Sequence, residues 1–123
     1  MAEVILDTNF VLTCIRNKLD FYEELGDRGY SVLIPFEVVE EIKRLRDSNK
    51  KLKFKEEADL ALKIIGAGDH RKVHCPGRYV DVGLKTYLDK HQKVILATMD
   101  KDLKRAVHNR KMVIRNRKKL ELQ

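Results

Sequence analysis

Residues 4–9 read Val4-Ile5-Leu6-Asp7-Thr8-Asn9, a short apolar run that ends abruptly in three polar side chains. The β-branched and aliphatic residues predict a strand, and the polar residues predict the loop that follows it. Apolar residues then recur at helical spacing, at Phe10, Val11, Cys14 and Ile15. The chain is therefore predicted to begin with a strand, a polar loop and a helix.

A second apolar run, residues 94–98, is the clearest buried strand in the sequence and is followed closely by Asp100. A helix is predicted over residues 100–108. In open α/β folds, ligands bind where the carboxyl ends of the strands meet. Asp7 and Asp100 are expected at that edge, and they become neighbours if their two strands pair side by side.

The rest of the sequence continues this alternation. The basic run at 115–119 is interpreted as a solvated tail or an RNA-facing patch. Strands and helices in alternation predict an α/β fold with a parallel sheet covered on both faces. Further strands are predicted at 30–34, around 73 and at 112–114, and further helices at 21–25, 36–47, 54–65 and from 81 onward.

Charge and length limit the class of protein. The 123 residues include 26 Lys and Arg against 19 Asp and Glu, a net charge of +7. Such a surface favours polyanionic partners such as nucleic acid, although ordinary solubility explains it equally well. The length predicts one domain over residues 1–123. The apolar runs are far shorter than the ~20 residues that cross a bilayer, so no membrane association and a cytoplasmic location are expected.

The cysteines and histidines offer no obvious catalytic pattern. Cys14 and Cys75 lack the spacing of a zinc site and are predicted to be reduced core residues. The high charge content also leaves an intracellular disulfide open. The histidines lie apart in the sequence without triad partners, so no catalysis is assigned to His70, His74, His91 and His108.

Helical geometry distinguishes two adjacent glutamates. At about 100° per residue, the apolar stripe of the helix at 36–47 leaves Glu41 on its flank and Glu40 nearly opposite. Glu41 is therefore expected to face the covered edge of the sheet. Glu40 is expected to face solvent and to pair with Arg44 one turn later.

Three aspartates have structural interpretations as well as functional ones. Asp81 and Asp100 each stand where a helix is expected to begin, and either could simply cap it. Asp102 is a first-turn acid, which the helix dipole favours whatever the function. Together with Asp7 and Glu41, however, Asp81 and Asp100 form a set of hard oxygen donors that suits Mg²⁺ or Mn²⁺.

Four segments carry a resemblance to a known family. They are Val4-Ile5-Leu6-Asp7-Thr8-Asn9, Pro35-x-x-Val38-x-x-Glu41-Ile42-x-x-Leu45, Gly77-x-Tyr79-x-Asp81 and Ala97-Thr98-x-Asp100-x-Asp102-Leu103. Their order and spacing are similar to those of the PIN-domain nucleases, and the chain resembles a PIN domain from end to end. Within that family it is most similar to the archaeal and eukaryotic Fcf1/Utp24-like subgroup that processes ribosomal RNA, and next to the small toxin PIN domains.

The resemblance implies a fold, an activity and a site. The fold would be a three-layer α/β/α sandwich with a central parallel sheet of about five strands, and the activity a Mg²⁺- or Mn²⁺-dependent endoribonuclease. The implied catalytic and metal-binding carboxylates are Asp7, Glu41, Asp81 and Asp100, with Asp102 as an accessory metal ligand. The implied supporting polar residues are Thr8, Asn9 and Thr98.

Basic residues near these motifs are predicted to position RNA through its phosphates. Tyr79 is expected in the core, with stacking on a base as the alternative. The predicted RNA-binding residues are Arg71, Lys72, Arg78, Lys101, Lys104 and Arg105, and a solvated charged surface is the ordinary alternative for each.

Three roles are compatible with these residues. The first is RNA maturation, with RNA and a ribosome-biogenesis protein as partners. The second is a toxin that a small antitoxin inhibits. The third is an RNA-binding module without turnover, against which the retention of four mutually repelling acids argues. The resemblance also leads us to expect a homodimer.

Overall fold

The computed structural model describes residues 2–123, which build a six-stranded sheet with the order β3-β2-β1-β4-β5-β6. All neighbouring strands are parallel except the last pair, β5 and β6, which is antiparallel. The predicted α/β class is confirmed. The strands are β1 (Glu3–Leu6), β2 (Ser31–Pro35), β3 (Arg71–Val73), β4 (Ile95–Ala97), β5 (Lys111–Arg115) and β6 (Lys119–Leu122).

Six helices connect these strands. The predicted helix at 100–108 is shorter than expected, because Val107 already has extended backbone angles. Within residues 2–123, none of the helices has both the length and the apolar composition that a membrane span requires. The helices are α1 (Thr8–Arg16), α2 (Phe21–Asp27), α3 (Phe36–Arg46), α4 (Leu52–Ala67), α5 (Val80–Lys90) and α6 (Lys101–Ala106).

The buried side chains form two clusters, one on each face of the sheet. Successive strand residues point to opposite faces, so Val4 and Leu6 pack with α1, α2, α3 and α4, whereas Ile5 packs with α5 and α6. These layers confirm the predicted sandwich. Cys14 and Cys75 are free, buried and in different clusters, which confirms their interpretation as reduced core residues.

The basic run at 115–119 is not a tail. It completes β5, makes a turn and begins β6, so the sheet has a sixth strand beyond the five expected. The strand forms because Leu120 and Leu122 alternate with charged residues and pack on the cluster that includes α1 to α4. The sequence did not predict this strand because its two apolar residues lie among many charged ones.

The sheet order brings two distant segments of the chain together. β1 and β4 are parallel neighbours with Leu6 opposite Ala97, and the Asp7 amide donates to the Ala97 carbonyl at 3.0 Å. The predicted pairing of these two strands is confirmed. Asp7 and Asp100 therefore follow adjacent strands at the same edge of the sheet, which we call the carboxyl edge.

Candidate active site

Asp7 is the centre of a buried hydrogen-bond network at the carboxyl edge. Its side chain is 7% exposed. Oδ1 accepts the Thr8 amide at 2.8 Å, which caps α1, and Oδ2 accepts the Thr98 hydroxyl at 2.9 Å. The same hydroxyl accepts the Asp100 amide at 3.1 Å. Thr98 therefore fixes the loops that carry both aspartates.

The surroundings of Asp7 oppose its ionisation. Burial raises the pKa of Asp7 above its ordinary value of 3.8, the hydrogen bonds from Thr98 and Thr8 lower it, and the negative charges of Glu41 and Asp100 raise it. The net effect is a raised pKa. The two repulsive contributions indicate that Glu41 and Asp100 each lie close enough to Asp7 for their charges to act on it.

The two glutamates of α3 differ as expected. Glu41 is half-buried and its charge acts on Asp7, whereas Glu40 is exposed. The predicted partner of Glu40 was wrong, because its carboxylate pairs with Lys43 at 3.4 Å rather than with Arg44. Glu40 and Glu41 are thus neighbours on one helix, but only the charge of Glu41 is among those that act on Asp7.

Asp81 lies in the first turn of α5, which the chain enters shortly after the carboxyl end of β3. The alternative interpretation of Asp81 as the helix cap is wrong, because Tyr79 occupies the cap position. Asp81 is half-buried, and within residues 2–123 its carboxylate makes no hydrogen bond or ion pair. Its oxygens therefore remain available for a ligand.

Two residues that the sequence did not single out hold α5 in place. The Glu37 carboxylate of α3 accepts the Cys75 amide at 2.8 Å, which ties the segment before α5 to the helix that carries Glu41. A Cβ atom on Gly83 of α5 would lie 1.9 Å from the Cys75 carbonyl oxygen. The sequence signal for this contact was a glycine in a helix interior, where glycine is unfavourable without a packing reason.

The remaining polar residues of the predicted site are placed differently. The Thr8 hydroxyl is buried without a hydrogen-bond partner among the described residues. Asn9 is exposed, and its carbonyl accepts the Thr13 hydroxyl at 2.6 Å. The Asp102 side chain is 94% exposed and lies 3.9 Å from Arg105. Asp102 therefore points to solvent rather than toward Asp7.

The donor chemistry of this edge fits a hard divalent cation. Asp7, Glu41, Asp81 and Asp100 offer only carboxylate oxygen, the ligand that Mg²⁺ and Mn²⁺ favour. Across residues 2–123, no three His, Cys, Asp or Glu side chains are grouped tightly enough to enclose an ion. Glu41 and Asp100 thus repel Asp7 without forming a closed cage with it, and within residues 2–123 the charge of Asp81 is not among those that act on Asp7.

The basic residues of the predicted RNA surface lie in different environments. Arg71 pairs with Glu3 at 2.7 Å, at the amino end of β1 and therefore away from the carboxyl edge. Lys72 lies over the Phe36 ring at 5.6 Å. Arg78 lies beside the Tyr79 ring. The other three predicted residues line a basic depression of about 310 Å³ that follows the loop of Asp100 in the chain. Its lining residues are Lys101, Lys104, Arg105, Lys111 and Gln123.

Tyr79 is not a core residue. Its side chain is 62% exposed, and the Arg78 guanidinium lies 5.7 Å from its ring centre. Both residues lie immediately before Asp81, in the segment that leads to α5. The expectation of core packing was wrong, and an exposed aromatic ring beside a cation is free to stack on a base.

Replacing Thr98 with valine is expected to raise the pKa of Asp7 further and to destabilise the protein at neutral pH. The variant loses the hydroxyl that lowers this pKa and leaves Asp7 Oδ2 and the Asp100 amide without their partner. The cost is about 1–3 kcal/mol. Carboxyl ¹³C NMR titration and urea unfolding measure the two effects. The control is Thr86→Val, which removes an exposed hydroxyl. An unchanged Asp7 titration in Thr98→Val would contradict the role given to Thr98.

Comparison with known proteins agrees with this architecture. The chain is 28% identical to ribonuclease VapC4 of Methanocaldococcus jannaschii, over 99% of this chain and 97% of that protein. It is 30% identical to the human rRNA-processing protein FCF1 homolog over 85% of this chain, and it spans only 50% of that protein.

The fold is also found among solved structures. The PIN domain endonuclease Utp24 superposes with a TM-score of 0.80 at 24% identity, covering 98% of this chain and 90% of that one. Residues 4–119 match the family described as PIN like domain. Because this match includes β1 through the start of β6, the chain belongs to the PIN-like domain family.

Proposed function

We propose that this protein is an endoribonuclease that hydrolyses RNA phosphodiester bonds with a divalent cation, Mg²⁺ or Mn²⁺, held by Asp7, Glu41, Asp81 and Asp100. The observation that carries the proposal is the buried Asp7 carboxylate, which is hydrogen-bonded to Thr98 and repelled by Glu41 and Asp100. A fold maintains such repulsion against its own stability, which is typical of a functional site. The similarity to ribonuclease VapC4 supports the same activity.

The chain's own residues give each part of the reaction a location. Thr98 orients Asp7 and the loop of Asp100 from one hydroxyl, while Glu37 and Gly83 set the position of α5 and so of Asp81. When bound, the cation would neutralise charge on the phosphodiester and lower the pKa of an attacking water. Hydrolysis by water needs no nucleophilic side chain, in keeping with the buried, free cysteines.

Positioning of RNA falls to basic residues near this edge. Lys72, Arg78, Lys101, Lys104 and Arg105 are proposed to contact its phosphates. Asp102 stays a predicted accessory metal ligand, on a side chain that faces solvent near Arg105. Arg71 is left out of this surface because its guanidinium is paired with Glu3. These contacts would be independent of base sequence.

The adjacent glutamates of α3 provide a matched test. Glu41→Gln is expected to reduce cleavage of end-labelled RNA by about 100-fold or more, because it removes a charge at the reacting centre. Glu40→Gln, one residue away on the exposed face, is expected to cleave like the wild type. Reactions with Mg²⁺, Mn²⁺ or EDTA show the dependence on the cation. Equal rates for the two variants would overturn the assignment of Glu41.

Two biological settings have support among the relatives. Maturation of ribosomal RNA, with a ribosome-biogenesis protein as partner, is supported by the FCF1 homolog and by the likeness to Utp24. A toxin inhibited by an antitoxin is supported by VapC4, which matches over nearly the whole of both chains. Growth arrest on expression, abolished by Asp7→Asn, would favour the toxin.

The third role is an RNA-binding module without turnover. It would bind RNA with the same affinity whether Asp7 is present or replaced, and would release no product with either cation.

A homodimer and a cytoplasmic location complete the proposal. Size-exclusion chromatography with light scattering measures the first of these, and a mass of one chain would overturn it.

A further inference from the structure

The turn between β5 and β6 presents a group of exposed cations. Arg115 and Lys119 are paired across the hairpin, and the Lys118 amide donates to the Arg115 carbonyl at 3.1 Å. Asn116 and Arg117 have left-handed φ angles of 56° and 59°, a conformation that asparagine adopts more readily than most residues and that arginine adopts rarely. We call the exposed residues Arg117, Lys118 and Lys119 the basic tip.

The hairpin that carries the basic tip is anchored to the body of the protein. Leu120, next to the tip, is 1% exposed. Its amide donates to the Glu24 carboxylate at 3.1 Å, and its carbonyl accepts the Arg28 guanidinium at 2.5 Å. These contacts join β6 to α2. The tip is thus held at a fixed place rather than on a mobile tail.

The register of the sheet locates the basic tip beside the candidate active site. Met112 of β5 lies opposite Ala97, the last residue of β4. The residues of β5 after Met112 continue for about 10 Å past the end of β4, at about 3.3 Å per residue. β5 is two strands from β1, about 10 Å to the side. The tip therefore stands above the carboxyl edge and beside the loops of Asp7 and Asp100.

The charges of the basic tip have no protein partner. Arg115 pairs with Glu121, but within residues 2–123 the side chains of Arg117, Lys118 and Lys119 form no ion pair or hydrogen bond. Like charges on one turn repel one another, and an anion supplied from outside would relieve that repulsion. Without an aromatic ring in the tip, its chemistry suits phosphates rather than bases.

We propose that the basic tip binds the RNA backbone on the β5 side of the site and holds phosphates a few nucleotides from the bond that is cut. The sheet separates the tip from the loops of Asp7 and Asp100 by about 10–15 Å, which is more than one nucleotide of an RNA strand spans. This inference rests on the proposed function. It adds a contact surface that is independent of base sequence and distinct from the depression beside Asp100.

A matched pair of triple variants tests the proposal. The tip variant is Arg117→Gln, Lys118→Gln and Lys119→Gln. The control removes the same charge at the opposite edge of the sheet, where α1 and α5 end and β4 begins, through Lys18→Gln, Lys90→Gln and Lys93→Gln. Fluorescence anisotropy with labelled oligouridylate in EDTA measures binding over a range of salt concentrations without cleavage.

We expect the RNA affinity of the tip variant to depend less on salt concentration than that of the wild type, and the control to show no such change. Each lost contact reduces the slope of log K against log salt by about 0.7 on single strands, so three lost contacts reduce it by about 2. The control is expected to keep the wild-type slope. Arg117→Lys, which keeps the charge, is expected to keep it too. Equal slopes for the tip variant and the control would overturn the proposal.

Cleavage by the same preparations separates this proposal from the proposed function. With Mn²⁺, the tip variant is expected to need about 10-fold more RNA for half-maximal rate and to keep the rate at saturation, because the tip does not touch the reacting bond. If the wild type binds RNA but does not cleave it, the proposed endoribonuclease activity is overturned. A reduced salt slope for the tip variant would still support RNA binding by the basic tip. A wild type that binds no RNA would overturn both.

Discussion

The Asp7→Asn variant is expected to be more stable than the wild type in EDTA at neutral pH, by about 1 kcal/mol. The pKa of Asp7 is raised in the fold, so the ionised carboxylate is less favourable there than in the unfolded chain. The stability that Asp7 contributes is therefore fully present at pH values below its pKa in the unfolded chain, ordinarily 3.8. It is lost as the pH rises through the higher pKa of Asp7 in the folded protein. Asparagine keeps an oxygen for the Thr8 amide and carries no charge, and its NH2 group can donate to the Thr98 oxygen in place of the bond that this hydroxyl gave to the carboxylate.

Thermal unfolding followed by circular dichroism measures this effect. The advantage of Asp7→Asn is expected to shrink as the pH falls toward the ordinary carboxyl value, since the wild-type carboxyl is then protonated. Mn²⁺ is expected to raise the melting temperature of the wild type and of Glu40→Gln, but not of Asp7→Asn, because binding to the folded state stabilises it. A less stable variant, or equal stabilisation of all three by Mn²⁺, would contradict the role given to Asp7.

The Gly83→Ala variant is expected to lose about 3 kcal/mol or more of unfolding free energy. Its Cβ would lie 1.9 Å from the Cys75 carbonyl oxygen, which belongs to the backbone and cannot rotate away as a side chain can. Overpacking of this kind typically costs about 1–3 kcal/mol and more when backbone must move. The displaced element would be α5, so the position of Asp81 should change as well.

Gly66→Ala is the matched control in α4. A Cβ there would meet nothing within 4 Å, and alanine favours a helix by up to about 1 kcal/mol over glycine. The urea concentration at the unfolding midpoint should therefore fall for Gly83→Ala and rise for Gly66→Ala, relative to the wild type. Similar midpoints for both would show that α5 can shift without cost and that Gly83 does not fix Asp81.

Local patterns were sufficient to predict the centre of the candidate site. Asp7 directly follows one short apolar strand and Asp100 closely follows another, and the carboxyl ends of parallel strands lie at the same edge of a sheet. Helical spacing was likewise enough to separate Glu41 from Glu40, since the buried side of α3 depends only on its own apolar residues. These features depend on contacts that are near in sequence or on a general rule of the fold.

Features that depend on distant contacts were not predictable in this way. β6 depends on pairing with β5 and on burial of Leu120 against helices far away in sequence. Arg71 pairs with Glu3, a partner that lies far away in the sequence and that the residues around Arg71 do not reveal. Tyr79 has the composition of a core residue, yet the segment before α5 carries it outward. In each case the sequence shows the residue type but not the partner.

The role of Gly83 illustrates the same limit from another side. A glycine in a helix interior signals a constraint, but only the structure identifies the Cys75 carbonyl as its cause. The Thr98 hydroxyl shows the same limit, because one of its partners, Asp7, follows β1 and the other, Asp100, follows β4. The sequence pointed to Thr98 but not to Gly83, and for both residues the geometry supplies the physical reason.

The central claim is that the acids at the carboxyl edge form a cation-dependent site for RNA hydrolysis. Its most direct test is the single-turnover rate of cleavage of an end-labelled RNA by the wild type and by Asp7→Asn across a Mn²⁺ titration. We expect the wild-type rate to rise with Mn²⁺ and saturate, and the variant to be slower by at least about 100-fold at every concentration although it is folded and binds RNA. Equal cleavage by Asp7→Asn, or cleavage by the wild type that persists in EDTA, would contradict the claim.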